Sequence, residues 1–328
     1  MDKRYETIKL FFEEEAHKYT DTLDNNYTSC TTLLHGYAPE FDKAYWLRKK
    51  AKETGLSEAD IAKNWKDITD ESCARGTKTH NYLEDGVKEV SKFKKAVQYL
   101  TDIKSGRMVT VADIPYLNVK PLDIPKFIQA TNNKYPEIYN VFKYYTDNGY
   151  TIYSEIGVYL IDYLISGTID ILCIREDQFV ILDWKTNKDG LKFESGYYRR
   201  DKSQKPWQLT NDWVSKKETL KAPVSHLPNC NGSIYSLQLS MYATMVNLVT
   251  GLPCAGLGLC HIGTPFIKNE YGMPKRNIKG MYIIDEKGSE TVKWYPIKFY
   301  HNECMQILND HKLNIGAANI NKQFKLAM

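Results

Sequence analysis

The stretch Ser166–Thr186, reading Ser-Gly-Thr-Ile-Asp-Ile-Leu-Cys-Ile-Arg-Glu-Asp-Gln-Phe-Val-Ile-Leu-Asp-Trp-Lys-Thr, constrains the chain more than any other. Two apolar, β-branched runs, Thr168–Ile174 and Phe179–Asp183, flank the short polar break Arg175–Gln178. That pattern predicts a β-hairpin, although the turn lacks the Asn-Gly or Asp-Gly pair that most strongly marks one. A hairpin symmetric about Glu176 and Asp177 sets Arg175 against Gln178. The same register carries Asp170 opposite Asp183. Because side chains alternate along a strand, Asp183 and Lys185 share a face, so two acids and a lysine converge on one patch.

Like charges opposed across a strand pair destabilise a sheet unless something compensates. Asp183 also sits in an apolar run, where an idle charge is costly. A divalent cation with oxygen ligands supplies the compensation, and Mg²⁺ typically binds one or two carboxylates together with phosphate oxygens. A lysine beside such a cation can orient the attacking water or offset charge developing on phosphate. The chemistry these residues suit is metal-assisted phosphodiester hydrolysis. The bland alternative is a hairpin with solvated acids on its outer face.

At 328 residues the chain predicts one elaborated domain or two close-packed ones. The division falls at 1–149, a β-hairpin and helical region, and 150–328, which carries the hairpin and a C-terminal extension, the two forming one compact unit. A hydrophobic content of 42% with 26% charged residues is that of a globular protein. The net charge of +4 selects no partner, so a local basic surface has to carry any nucleic-acid reading. No apolar run is long enough for a transmembrane helix and the first fifteen residues carry no signal-peptide pattern, which predicts a cytoplasmic protein without a membrane partner. The cysteines, 30, 73, 173, 230, 254, 260 and 304, form no C-x-x-C pair, which suits reduced thiols. Cys230, Cys254, Cys260, His226 and His261 match no strong ligand template for a zinc or iron–sulfur site.

Along the chain, residues 1–34 predict a small β unit (Ile8–Phe12, His17–Thr20 and Tyr27–Leu34) turning at Asp24-Asn25-Asn26. From Asp42 the periodicity is helical, stopping at Gly55 and again at Gly76, with a further helix over 77–93 capped by Thr77. Residues 101–122 read as a loop, and 123–149 as a helix broken at Pro136. A strand over 150–163 is expected to alternate, with Ile152, Ser154 and Ile156 on one side and Tyr153, Glu155 and Gly157 on the other. Residues 187–232 read as irregular, with basic and aromatic side chains interleaved. Helices follow at Ser236–Val249 and Tyr300–Leu313, and strands at Leu257–Ile262 and Gly280–Ile284.

The motifs Gly76-Thr-Lys-Thr-His80, Gly167-Thr-Ile-Asp170, Asp183-Trp-Lys185 and Gln238-x-x-x-Tyr242 occur in that order. Their order and spacing resemble the PD-(D/E)XK nucleases, specifically the RecB-like exonuclease branch of phages and recombination machinery. The segment Pro39–Trp46 and the later Trp65 add to the likeness, which spans roughly residues 27–262. The resemblance implies an α/β fold with a restriction-endonuclease-like mixed central sheet flanked by helices, elaborated at the N-terminus by helices and a β-hairpin. It implies Mg²⁺ or Mn²⁺ held by His80, Asp170, Asp183 and the Trp184 backbone carbonyl, with Lys185 positioning or activating the water. Gln238 and Tyr242, four apart and so on one helix face, would lie by the active site and the DNA strand. Glu155 and Glu84 would be supporting acids. Some relatives carry a four-cysteine iron–sulfur cluster, whose spacing is missing here, and no Walker motif provides for ATP.

The function this implies is a DNA exonuclease acting on ends or single strands in recombination, repair or DNA processing, with a recombination or replication protein as a partner. Lys188, Lys192, Tyr197, Arg199, Arg200 and Trp207 would track the backbone and stack bases. An endonuclease of the same fold, restriction-like or junction-resolving, and a catalytically silent DNA-binding module stay open as alternatives.

Overall fold

The computed structural model describes residues 2–326 apart from positions 14, 92–105, 118, 120, 204 and 279. The last residues of the helix expected over 77–93, and part of the loop expected over 101–122, lie outside the described residues. The rest is a mixed α/β structure around an eight-stranded sheet.

After a short helix α1 (Arg4–Thr7), strands β1 (Leu10–Glu13), β2 (Lys18–Asp21) and β3 (Asn26–Ser29) form an antiparallel meander. The chain then leaves the expected β unit for helix α2 (Cys30–His35), because Ser29 caps it by accepting the Thr32 N–H. Helix α3 (Lys43–Thr54) is capped by the Asp42 side chain and stopped by Gly55 at φ +74°.

Helix α4 runs unbroken from Glu58 to Ser91. The stop expected at Gly76 and the cap at Thr77 are therefore not there. Gly76 is a packing residue: a Cβ on it would meet the Thr186 Oγ1 at 3.0 Å. Helices α5 (Ile124–Ala130) and α6 (Pro136–Asp147) occupy the stretch 123–149, and the break expected at Pro136 is there: Pro136 opens the second helix, where its missing N–H costs nothing.

Strands β4 (Thr151–Leu160), β5 (Ile165–Ile174) and β6 (Phe179–Lys185) form the centre. They continue through β9 (Cys254–Gly263) to β10 (Thr291–Ile297) at the edge. β3 with β5 and β6 with β9 are parallel pairs; the remaining pairs are antiparallel. Because β3 pairs with β5, residues 1–149 and 150–328 contribute to one sheet. One core lies against helices α7 (Asn231–Thr250) and α8 (His301–Leu326), the other against α4, α5 and α6.

Two further expectations are corrected. Residues 187–232 are not wholly irregular: β7 (Gly196–Asp201) and β8 (Gln208–Ser215) form a separate two-stranded sheet. Gly280–Ile284 makes only isolated bridges, and the strand paired with β9 is β10 instead. Among the described residues no helix is long and apolar enough to cross a membrane.

Candidate metal centre

Strand β5 has two edges, and their different partners create the site. One edge runs antiparallel to β4 from Ile165 to Ile174. The other pairs with β3 at Ile165 and Ser166, then with β6 at Ile171–Ile174. Residues 167–170 fall between those two pairings, and here β6 diverges from β5 while staying paired with β9 through Lys185.

The hairpin register is the one the sequence predicts, with Ile171 against Leu182 and Ile174 against Phe179. It would carry Asp170 to Asp183, but the ladder ends one rung earlier. In place of that rung the Trp184 N–H donates to the Asp170 Oδ2 at 3.0 Å. The Trp184 indole is buried against Phe142 and Trp294.

On β4 the rungs Ser154–Ile171 and Ile156–Ile169 bracket Glu155 opposite Asp170. Glu155 adopts φ +52° in mid-strand, a left-handed conformation that costs an L-residue about 1–2 kcal/mol. Simple alternation along β4 fails there. Tyr153 and Ile156, three residues apart, join the same core, and on β5 so do Ile169 and Leu172. Both strands thus change facing at the Glu155–Asp170 step. Such strain persists where the surroundings impose it, and it clusters at functional sites.

The outcome is a three-residue donor group. One ligand atom each from His80, Glu155 and Asp170 lie within 4.8 Å of one another, and His80 Nδ1 is 3.5 Å from Asp170 Oδ2. His80 reaches the sheet because Gly76, one turn earlier on α4, lets the helix close onto Thr186. One imidazole and two carboxylates suit a divalent cation that accepts nitrogen and oxygen. Glu84, half-buried one turn beyond His80, is outside this group.

Asp183 is engaged differently. Its Oδ2 is in close contact with Lys185 Nζ, and both side chains are largely buried. Burial pushes the Asp183 carboxyl up to about 7; the Lys185 ammonium pulls against that shift and the Asp170 charge adds to it. Burial also opposes the Lys185 charge, but Asp183 and Asp170 outweigh it, so the amine holds its proton more firmly than usual. The sequence-predicted site residues therefore separate into two neighbouring sets: His80 and Asp170, joined by Glu155, and Asp183 with Lys185.

Tyr242 is buried, accepts a hydrogen bond from Gln238 Nε2 at 3.2 Å, and lies over Gly167, where a Cβ would stand 2.5 Å from its ring. Gly167 is thus fixed by the close approach of α7 to the gap beside β5. Sequence reasoning missed Tyr235. Its ring lies 4.7 Å from Lys185 Nζ, and its hydroxyl accepts from Asn187 Nδ2 at 2.8 Å. The Asn187 carbonyl in turn meets His261 Nε2 at 2.8 Å. The signal was present, since Tyr235 precedes Gln238 and Tyr242 at helical spacing on one face.

The proposed strand-tracking residues spread over the β7–β8 sheet and its approach. Lys192 lies over the Tyr198 and Trp213 rings, Lys188 over Tyr282, and Arg199 pairs with Asp212. Tyr197 and Arg200 are exposed on β7, and Trp207 lies beneath Lys202. No protein-family model, curated protein or solved structure matches the chain.

Proposed function

We propose that the chain is a divalent-metal-dependent DNA nuclease of restriction-endonuclease-like fold, acting as an exonuclease. The observation that carries this reading is the convergence of His80, Glu155 and Asp170 within 4.8 Å, beside a buried aspartate–lysine pair one strand away. His80, Glu155 and Asp170 would hold Mg²⁺ or Mn²⁺, with Asp183 and the Trp184 carbonyl as the further oxygens the resemblance implies. A bound cation of this kind polarises the scissile phosphate and lowers the pKa of its water.

The chain's own residues have separate tasks. Lys185, kept charged by Asp183 and braced by Tyr235, sets a positive charge where negative charge develops on phosphate. Asp170 holds the diverging end of β6 through the Trp184 N–H, which fixes the distance between the donor group and Lys185. Tyr242, packed over Gly167 in the gap between β3 and β6 and hydrogen-bonded by Gln238, would close that gap behind the site.

Incubation of linear DNA with the protein and Mg²⁺ or Mn²⁺ tests the reading. Cleavage that EDTA stops and Asp170→Asn abolishes is the expected result; full activity of Asp170→Asn overturns it. A covalently closed circle separates the two modes, since an exonuclease leaves it intact and an endonuclease cuts it.

A further inference from the structure

Helix α3 is twelve residues long and buries none of its side chains. A helix in a folded protein is ordinarily held by an apolar face turned to the core; α3 has only a half-buried one, Trp46, Leu47 and Ala51, and leaves most of its surface to solvent. The aromatic side chains at its start stand open. Phe41, just before the helix, is 64% exposed and Tyr45 is 48% exposed. Phe41 stacks nearly parallel to Trp46, at 6.5 Å and 7°, with Trp65 of α4 alongside at 6.1 Å.

Cations surround these rings. Lys43, Arg48, Lys49, Lys50 and Lys52 stand on α3 against the single acid Glu53, which Lys50 already engages. Lys49 Nζ lies 4.8 Å from the Trp46 ring, and Lys50 Nζ lies 5.8 Å from the ring of Trp207, which immediately precedes β8. The surface therefore continues from α3 onto the strands with the same alternation of ring and ammonium.

Open ring faces interleaved with lysines fit a polyanion that also offers flat apolar faces. A nucleic-acid strand offers both when its bases are unpaired; a duplex hides its base faces and leaves only phosphate for the lysines. We infer that α3, with Phe41 before it and Trp207 beside it, is a stacking platform for single-stranded nucleic acid. The inference rests on the nuclease reading for its biological sense and names the substrate form, an unpaired strand. From Trp65 to His80 along α4 is about 22 Å at 1.5 Å per residue, so the strand would span several nucleotides between platform and donor group.

The test is equilibrium binding in EDTA, where cleavage cannot interfere. A fluorescein-labelled oligothymidylate of about 20 nucleotides and a blunt duplex of the same length serve as probes, a length above the site sizes of single-strand binders. Wild-type protein is expected to bind the single strand more tightly than the duplex. Phe41→Ala with Trp46→Ala should weaken single-strand binding by about 10- to 100-fold, as loss of one to two stacked bases does, with the duplex little affected. Trp46→Phe alone should retain most of the affinity. Trp46 is half-buried, so the melting temperature of the double variant is measured beside its affinity; Lys49→Glu, on an exposed side chain, keeps the rings, should melt as wild type does, and should also weaken single-strand binding.

Duplex preference, or unchanged single-strand affinity in the double variant, overturns the platform. Binding of neither DNA overturns it too and points to a protein as the occupant of this face. Failure of the two readings is distinguishable. A protein that binds single strands through Phe41 and Trp46 but cuts no DNA retires the nuclease and keeps the platform. One that cuts DNA and binds single strands equally well without those rings does the reverse.

Discussion

The Asp170 carboxylate accepts the backbone N–H of Trp184 at 3.0 Å, one step past the last rung that joins β5 to β6. A side chain thus replaces a ladder hydrogen bond where the strands part. The same oxygen lies 3.5 Å from His80 Nδ1, so one carboxylate serves both the sheet and the donor group. The two duties can be separated by substitution.

Asp170→Asn keeps an oxygen for the Trp184 N–H and loses the charge. It should fold with nearly wild-type stability, lose the rise in melting temperature that Mn²⁺ gives the wild type, and lose cleavage on the order of 10²–10³-fold or more. Asp170→Ala leaves that N–H without its partner and should cost about 1–3 kcal/mol as well. Urea midpoints of the two variants decide the matter; equal stability would mean that the hydrogen bond contributes nothing.

Glu155 stands opposite that carboxylate at φ +52°. Replacing it with either Gly or Ala removes the acid, but only Gly relieves the backbone. Glu155→Gly should therefore be more stable than Glu155→Ala by about 1 kcal/mol, and both should bind Mn²⁺ more weakly than wild type by calorimetry. A Gly variant no more stable than the Ala variant would show that the left-handed conformation carries no strain.

The hairpin could be read from the sequence because the β5–β6 ladder carries no bulge, so a register set at the turn still holds at Leu182. Glu155 could not be placed. Strict alternation sets it apart from Ile156, and nothing about a glutamate announces a left-handed backbone in mid-strand. Gly76 looked like a helix stop because its reason is a tertiary contact with Thr186, 110 positions along the chain. β10 carries Pro296, which a central strand would not tolerate; it is the edge strand, where a missing N–H is tolerated. The β7–β8 sheet packs apart from the main sheet and keeps much of its surface in water, so its charges masked the strand pattern. Local pattern thus located the chemistry, while contacts between distant segments decided which acid joins which.

His311 on α8 is 7% exposed, and its Nε2 has no hydrogen-bond partner. Burial lowers its pKa below the usual 6.5, against a backbone hydrogen bond at Leu164 and the neighbouring Asp310 charge, which both favour the imidazolium. A histidine held neutral by the fold stabilises it above the unfolded pKa, and that contribution is lost as pH falls through the folded value. The wild type should therefore lose stability below about pH 6.5 more steeply than His311→Gln. Urea midpoints at several pH values below and above neutrality measure the difference; parallel curves would show that His311 titrates as freely as in the unfolded chain.

Tyr235 offers the sharpest separation of ring from hydroxyl at the proposed site. Its ring faces Lys185 Nζ at 4.7 Å while its hydroxyl accepts from Asn187. An ammonium over an aromatic face gains about 0.5–2 kcal/mol when partly desolvated, and Lys185 also needs to be aimed. Tyr235→Leu removes the ring and should lower kcat by about 2- to 30-fold with KM for DNA little changed, since a lysine that serves the transition state should not hold the ground state. Tyr235→Phe keeps the ring and should restore most of kcat despite losing the Asn187 contact. A rise in KM at constant kcat would instead make Tyr235 a strand-binding residue, and equal losses in Leu and Phe variants would transfer the role to the hydroxyl and the chain of contacts through Asn187 to His261.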